Sequence, residues 1–239
     1  MIQVLGIDPG TRNLGVCLLE WEKDTCDDNS IPKVVKWEVA DVLKSGGTKP
    51  DCDRVCDYFD TYRQWLPKET FIVVEKQDPT NTKMRDIAAT IYGFFRGMGF
   101  DVKYTDYNVK VRAIEVIKKF HGVEEIPFVN TKKRKRKNSS GSAVLKSNVY
   151  KINKSNVVNA VAFHLLNTKS EKEYFIFEKH EKKDDLCDAY LISFESGEKL
   201  KVKHFLMFLK YHRRILLCLR NKDFSQDNLM YWSLFCRTH

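Results

Sequence analysis

The stretch GIDPGTRNLGV, residues 6 to 16, closes one apolar run and opens another. The first run, Ile2–Ile7, leads directly into Asp8, and a Pro-Gly pair then supplies the residues of a turn. Because the second run, Leu14–Trp21, follows at once, the pattern predicts an antiparallel hairpin. Asp is a poor strand residue and is costly to bury without a partner, so its position at the end of the first strand requires an explanation.

The rest of the chain alternates strand and helix patterns. Further strands are predicted at Val34–Val39, Phe71–Val74 and Phe100–Thr105. Helices are predicted at Asp51–Trp65, Met84–Gly99 and Asn108–Phe120, from about Lys154 onward, and over about Asp184–Gly197. A three-strand meander followed by strands joined through helical crossovers indicates an α/β fold, a mixed sheet with flanking helices.

Composition limits the possible environments and partners. The 239 residues suffice for one substantial core, and 41 Lys and Arg against 32 Asp and Glu give a net charge of +9. This excess favours a polyanionic partner, although it could serve solubility alone. Seven irregularly spaced cysteines do not resemble a disulfide framework and indicate a reducing, intracellular compartment. The sequence has neither a signal-peptide pattern nor a long apolar segment, so we expect no secretion and no membrane partner.

Four acids occupy positions that favour a metal site. Glu75 directly follows the buried strand Phe71–Val74, as Asp8 follows the first strand, and Asp185 and Asp188 share one helix face. Singly, each has an ordinary explanation as a turn, strand-end or helix N-terminal residue. If the helix face packs near the sheet, the four carboxylates converge. Such oxygen ligands suit Mg²⁺ or Mn²⁺, and a pair of these ions can promote phosphodiester hydrolysis.

Three segments, GIDPGTRNLGV, FIVVEKQ and DDLCDAYLI, together resemble the acidic motifs of RuvC-type Holliday junction resolvases, specifically the branch found in poxviruses and other large DNA viruses. The resemblance covers residues 2–197. It implies an RNase H-like fold, a homodimer and two Mg²⁺ ions per active site, with Mn²⁺ as a possible substitute. It also implies a crossover junction endodeoxyribonuclease that makes paired symmetrical nicks in four-way DNA junctions during recombination.

The resemblance also assigns candidate roles to single residues. The acids that match the family's metal ligands are Asp8, Glu75, Asp185 and Asp188. Asp184 adjoins this set, and helix phase relative to Asp188 favours Asp185 as the ligand. The family's two active-site basic residues correspond to Lys110, in a helix after the fifth strand, and Lys154, at the start of the next helix. Either lysine could hold the scissile phosphate or stabilise its developing charge, or simply lie on an exposed helix face.

A basic insertion at about residues 130–152 departs from the family pattern. Its six consecutive basic residues are Lys132, Lys133, Arg134, Lys135, Arg136 and Lys137. They could bind DNA phosphates, form a nuclear-localisation-like patch or belong to a solvated loop.

The C-terminal extension, residues 199–239, lies outside the resemblance, whereas residues 1–198 form the expected nuclease domain. Between Lys199 and Lys222 the extension carries eight basic residues and no acid, interleaved with aromatic residues and leucines. Core packing with a basic outer face, a DNA-binding arm and a membrane-surface helix all fit this pattern.

Two other functions remain alternatives to a nuclease. Asp8, Gly10 and Gly15 loosely fit the phosphate-binding hairpin of actin-like and sugar-kinase-like ATPases, but those proteins need two such domains around a nucleotide. A non-cleaving nucleic-acid-binding or RNA-processing factor of the YqgF-like branch would have no physical reason to keep four crowded acids. The sequence therefore favours a Mg²⁺-dependent endonuclease acting on branched DNA in the cytoplasm, at a viral replication site or in the nucleus.

Overall fold

The computed structural model of the chain describes residues 1–22, 30–44, 48–106, 108–129 and 146–221, with the side chains of 154–203, 206 and 207 in the last of these ranges. Its strands are β1 (Ile2–Asp8), β2 (Leu14–Trp21), β3 (Lys33–Ala40), β4 (Phe71–Glu75) and β5 (Asp101–Thr105). Its helices are α1 (Asp51–Asp60), α2 (Thr82–Gly97), α3 (Val109–His121), α4 (Lys146–Asn167), α5 (Glu171–Lys179) and α6 (Lys183–Asn221).

The five strands form one mixed sheet in the order β3-β2-β1-β4-β5. The pairs β1–β2 and β2–β3 are antiparallel, whereas β1–β4 and β4–β5 are parallel. This arrangement confirms the predicted α/β fold with a meander followed by helical crossovers. Since Ile7 of β1 pairs with Val74 of β4, the next residue of each strand, Asp8 and Glu75, leaves the sheet at the same edge.

Alternation along the strands decides which face each acid occupies. Leu5 and Ile7 of β1 belong to the hydrophobic core that includes Phe59 of α1 and Ile91 of α2. Gly6 lies on the opposite face, where its backbone N–H donates to Ser193 of α6. Residues two positions apart share a face, so Asp8 lies on the side of the sheet that α6 covers.

Several helix boundaries differ from those predicted. The first helix ends at Asp60, not Trp65, and its apolar spacing continues through a turn in which Tyr62 is still buried. Helix α4 begins at Lys146, well before the predicted start near Lys154. The earlier start was not predicted because the first turns carry few apolar residues and give no periodic signal. Helix α5 was not predicted, and α6 continues beyond Gly197. The basic run 132–137 lies outside the described residues.

The chain divides into two compact units, Met1–Gly197 and Glu198–His239. The first unit contains the sheet, and the described part of the second is the continuation of α6 to Asn221. That residues 1–198 form the nuclease domain and residues 199–239 a separate basic extension stays a prediction. Within the described ranges, no helix is long and apolar enough to cross a lipid bilayer.

Candidate active site

The carboxyl ends of β1 and β4 bring two acids close together. Asp8 and Glu75 follow paired residues of adjacent parallel strands and are close enough to repel each other, and Glu75 is only 7% exposed. Burial, followed by repulsion from Glu75, raises the pKa of Asp8 well above its usual range. Two carboxylates at this distance need a shared proton or a cation, so this edge of the sheet is a site of unbalanced negative charge.

Close packing of α6 against the sheet brings Asp185 and Asp188 toward the same edge. A β-carbon at Gly15 would lie 2.7 Å from the backbone oxygen of Asp185, and one at Gly6 would lie 2.7 Å from the backbone nitrogen of Ser193. The Ser193 hydroxyl also donates to the carbonyl of Cys17 in β2, at 2.7 Å. Only glycine at these two strand positions allows such an approach, which places the first turns of α6 beside Asp8.

Lys110 lies at the centre of the acids. Its Nζ is 2.7 Å from Asp188 Oδ2 and 3.1 Å from Glu75 Oε1, and its side chain is 22% exposed. Burial disfavours the ammonium, but attraction by Asp8, Asp188 and Glu75 outweighs this effect and raises the pKa of Lys110. The lysine predicted to contact phosphate is thus the internal counter-ion of the carboxylates in this structure.

Lys154 occupies a second position, on α4, well inside that helix instead of at its predicted start. It forms a close ion pair with Asp184, whose pKa is lowered by Lys154 even though burial acts in the opposite direction. Burial and the neighbouring Asp184 raise the pKa of Asp185, which also experiences the Lys110 ammonium. Asp184 is thus the partner of Lys154, and the choice of Asp185 over Asp184 as a metal ligand stays a prediction.

Burial and Lys110 act in opposite directions on Asp188, the fourth acid. Burial, the larger effect, raises its pKa, while Lys110 lowers it. The structure therefore brings Lys110 into contact with Glu75 and Asp188, places Asp8 beside Glu75 at the same edge of the sheet, and places Asp185 one helical turn before Asp188. The predicted DNA-binding residues 132–137 lie outside the described residues.

Arg112, a residue that no pattern in the sequence selects, links α3 to α6. Its Nε lies 2.5 Å from Glu195 of α6, which is 3% exposed, and its Nη1 lies 2.8 Å from Asp106. This bridge joins the helix that carries Lys110 to the helix that carries Asp188. The residues are 83 positions apart in the chain, so spacing could not reveal the pair.

The cluster matches a divalent cation in ligand chemistry. Its four acids supply only hard carboxylate oxygens, the donors that Mg²⁺ and Mn²⁺ prefer. Among the residues that the structure describes, no group of three or more His, Cys, Asp or Glu is arranged so that it could hold a metal. Lys110 lies between Glu75 and Asp188, so a metal bound by those two acids would require movement of its ammonium. A cavity of about 450 Å³ beside Glu75 opens at this edge of the sheet.

No known protein-family model matches the chain, and no curated protein sequence matches it. Its structure is similar to the yeast mitochondrial Holliday junction resolvase Ydc2, with a TM-score of 0.56, 17% identity, and coverage of 87% of this chain and 85% of that one. This similarity, together with the strand order, shows that the chain has the fold of the RuvC-type resolvases. The RNase H-like fold expected from the three acidic motifs is confirmed.

Two further solved structures align less closely. Fowlpox virus resolvase, in complex with its substrate Holliday junction DNA, has a TM-score of 0.45, 14% identity, and coverage of 82% of this chain and 99% of that one. RuvC from T. thermophilus, also in complex with a Holliday junction substrate, has a TM-score of 0.39 and 17% identity, with coverage of 53% of this chain and 83% of that one.

Proposed function

We propose that this chain is a metal-dependent endonuclease that cuts branched DNA, preferentially four-way junctions, by paired symmetrical nicks. The observation that carries the proposal is the position of Asp8 and Glu75 at the ends of adjacent parallel strands, with Lys110 paired to both Glu75 and Asp188. On a resolvase fold, such a cluster of acids is the part that chemistry on phosphate requires.

Asp8, Glu75, Asp185 and Asp188 are the residues that would hold Mg²⁺ or Mn²⁺, in our proposal two ions per site. When bound, such ions activate water and stabilise the leaving oxygen of a phosphodiester. The acids lie on β1, β4 and α6, which are held by the sheet and by the Ser193 hydrogen bonds, so their backbone positions are set before DNA arrives.

The two lysines have separate roles in this proposal. Lys110 balances the charge of Asp8, Glu75 and Asp188, which allows these acids to stay together in the folded protein. Lys154 is 33% exposed and reaches the edge of the cluster through Asp184. A phosphate arriving there could compete with Asp184 for the ammonium of Lys154, which would then stabilise negative charge on the phosphate.

A four-way junction presents two strands of like polarity, and cutting both symmetrically requires two active sites related by a two-fold axis. We therefore propose a homodimer as the active species. The run 132–137 adds six positive charges that would bind DNA phosphates without regard to sequence. An intracellular location, in a viral or cellular replication compartment, follows from the same substrate.

The test is cleavage of an end-labelled four-way junction compared with a linear duplex of equal length, in Mg²⁺ and in EDTA. We expect nicks in the junction alone, in Mg²⁺ alone, and none with Asp188→Asn. The matched control is Asp101→Asn, an exposed acid at the opposite end of the sheet, which should cut normally. A junction that is bound but left intact in Mg²⁺ and Mn²⁺ would favour a non-cleaving factor on the same fold.

A further inference from the structure

The part of α6 that belongs to the second unit has an unusual charge pattern. From Lys199 to Asn221 the helix carries seven Lys and Arg residues and neither Asp nor Glu. An exposed helix in a protein with 32 acids would ordinarily mix both signs along its surface. The segment is therefore basic along its whole length, and its positive charges repel one another unless an anion is bound.

Helical periodicity sorts these charges onto one side. At about 100° per residue, six of the seven fall within an arc of about 120°, which we call the basic stripe. The stripe consists of Lys199, Lys203, Lys210, Arg213, Arg214 and Arg220. Five large apolar residues lie in the opposite arc, namely Phe205, Phe208, Ile215, Leu216 and Leu219, whereas Val202, Leu206 and Leu217 fall within the arc of the stripe. The seventh cation, Lys201, lies in that opposite arc.

The described side chains show which arc faces solvent. Val202 and Leu206, which lie in or beside the arc of the basic stripe, are 57% and 58% exposed, and Lys203 is exposed as well. Lys201, on the other side, is 16% exposed and lies 3.3 Å from Glu198. Over residues 199–203, 206 and 207, whose side chains are described, the accessible side of the helix therefore includes the side that carries Lys199 and Lys203.

We propose that the basic stripe is a binding surface for the sugar-phosphate backbone of DNA, distinct from the acidic cluster. The stripe extends for about 32 Å at 1.5 Å per residue, close to the length of one turn of B-DNA. Cations along one side of a helix suit a duplex arm, whose phosphates are a continuous line of negative charge. An anionic membrane surface would instead select a helix whose accessible face is mainly apolar. The choice of DNA rests on the proposed function.

The experiment measures affinity for a linear duplex in EDTA across a range of salt concentrations, so that cleavage is not required. The test variant changes Lys203, Lys210, Arg213 and Arg214 to Gln. The control variant makes the same change at four exposed lysines of the first unit, Lys33, Lys119, Lys172 and Lys179, and so has the same net charge. For every cation that binds a phosphate in the wild type, its replacement should reduce the slope of log K against log salt by about 0.9.

We expect the test variant to reduce that slope by about 2 to 4 and to bind at least about tenfold more weakly at moderate salt, with little change in the control. A matched pair of single variants guards against unfolding, because Lys203→Gln should reduce the slope by about 0.9 whereas Lys201→Gln should not.

Three outcomes would overturn the proposal. Equal losses in test and control variants would reveal a general effect of net charge. An unchanged slope in the test variant would make the stripe a solvated face. Loss of binding to vesicles of phosphatidylserine and phosphatidylcholine, with duplex binding intact, would identify a membrane surface. Because the assay excludes metal, a protein that fails to cleave junctions can still pass it, and the two proposals fail separately.

Discussion

Replacement of Lys110 by Met tests the internal counter-ion directly. The Lys110 ammonium lies 2.7 Å from Asp188 and 3.1 Å from Glu75 and is largely buried. Removal of one member of a buried ion pair costs about 3–5 kcal/mol because the remaining charges lose their compensation. For a chain of this size, 1 kcal/mol shifts Tm by about 2–4 °C, so Lys110→Met should unfold about 6–20 °C below wild type in EDTA.

The assay is thermal unfolding of wild type and Lys110→Met in EDTA and in Mg²⁺. If metal and ammonium neutralise the same acids, Mg²⁺ should raise the Tm of Lys110→Met by more than that of wild type. Lys76→Met is the matched control, because Lys76 follows Glu75 in sequence but is exposed. Its Tm should stay within about 2 °C of wild type in both conditions.

The pH dependence of the defect has a definite sign. Burial already raises the pKa of Asp8 and Asp188, and loss of the ammonium should raise both further. A protonated carboxyl needs no counter-ion, so the difference in Tm between Lys110→Met and wild type should be smaller at pH 5 than at pH 8. A variant as stable as wild type in EDTA, or one that gains no more from Mg²⁺, would refute the counter-ion role.

Four other substitutions test separate parts of the structure. Burial, and secondarily His121, lowers the pKa of His164 to about 3, so between pH 6.5 and pH 5 this histidine takes up a proton in the unfolded chain but not in the native state. The free energy of unfolding, measured by urea titration, should therefore fall by about 2 kcal/mol from pH 6.5 to pH 5. His164→Gln should make this fall smaller. Gly15→Ala should cost about 1–3 kcal/mol and weaken stabilisation by Mg²⁺ because α6 must move, whereas Gly93→Ala, which meets nothing within 4 Å, should be tolerated. Arg112→Met should destabilise by about 2–4 kcal/mol, less than a fully buried pair, and adding Glu195→Gln should recover most of the loss; additive losses would exclude coupling. Lys154→Ala should slow junction cleavage at saturating DNA more than it weakens binding, and an equal loss of binding without a further effect on rate would contradict a role in the transition state.

The sequence predicts the sheet well because each strand has a local pattern. Apolar runs that lead into Asp8 and Glu75 located two of the strands, and parallel pairing then forced their carboxyl ends together. The i, i+3 spacing of Asp185 and Asp188 placed both on one helix face without structural data. Long helices were less predictable, because the first turns of α4 carry too little apolar periodicity to locate its start, and α6 continues past Gly197, the glycine that predicted its end.

The chemistry around the acids was harder to predict, since it depends on contacts between distant parts of the chain. Lys110 could be assigned to the active site but not to the centre of the carboxylates, because its position depends on how α3 lies against α6. Arg112 and Glu195 set that arrangement through a buried bridge with no local signature. The roles of Gly6 and Gly15 likewise become visible only when α6 packs across β1 and β2.

The measurement that tests the central claim most directly uses a supercoiled plasmid that extrudes a cruciform. Paired nicks across the junction yield linear DNA, whereas a single nick yields a relaxed circle. We predict linear product in Mg²⁺, with both ends mapping to the cruciform, no product in EDTA and none with Asp188→Asn. An intact plasmid, or relaxed circles nicked at positions unrelated to the cruciform, would contradict the proposal that these carboxylates cut branched DNA in pairs.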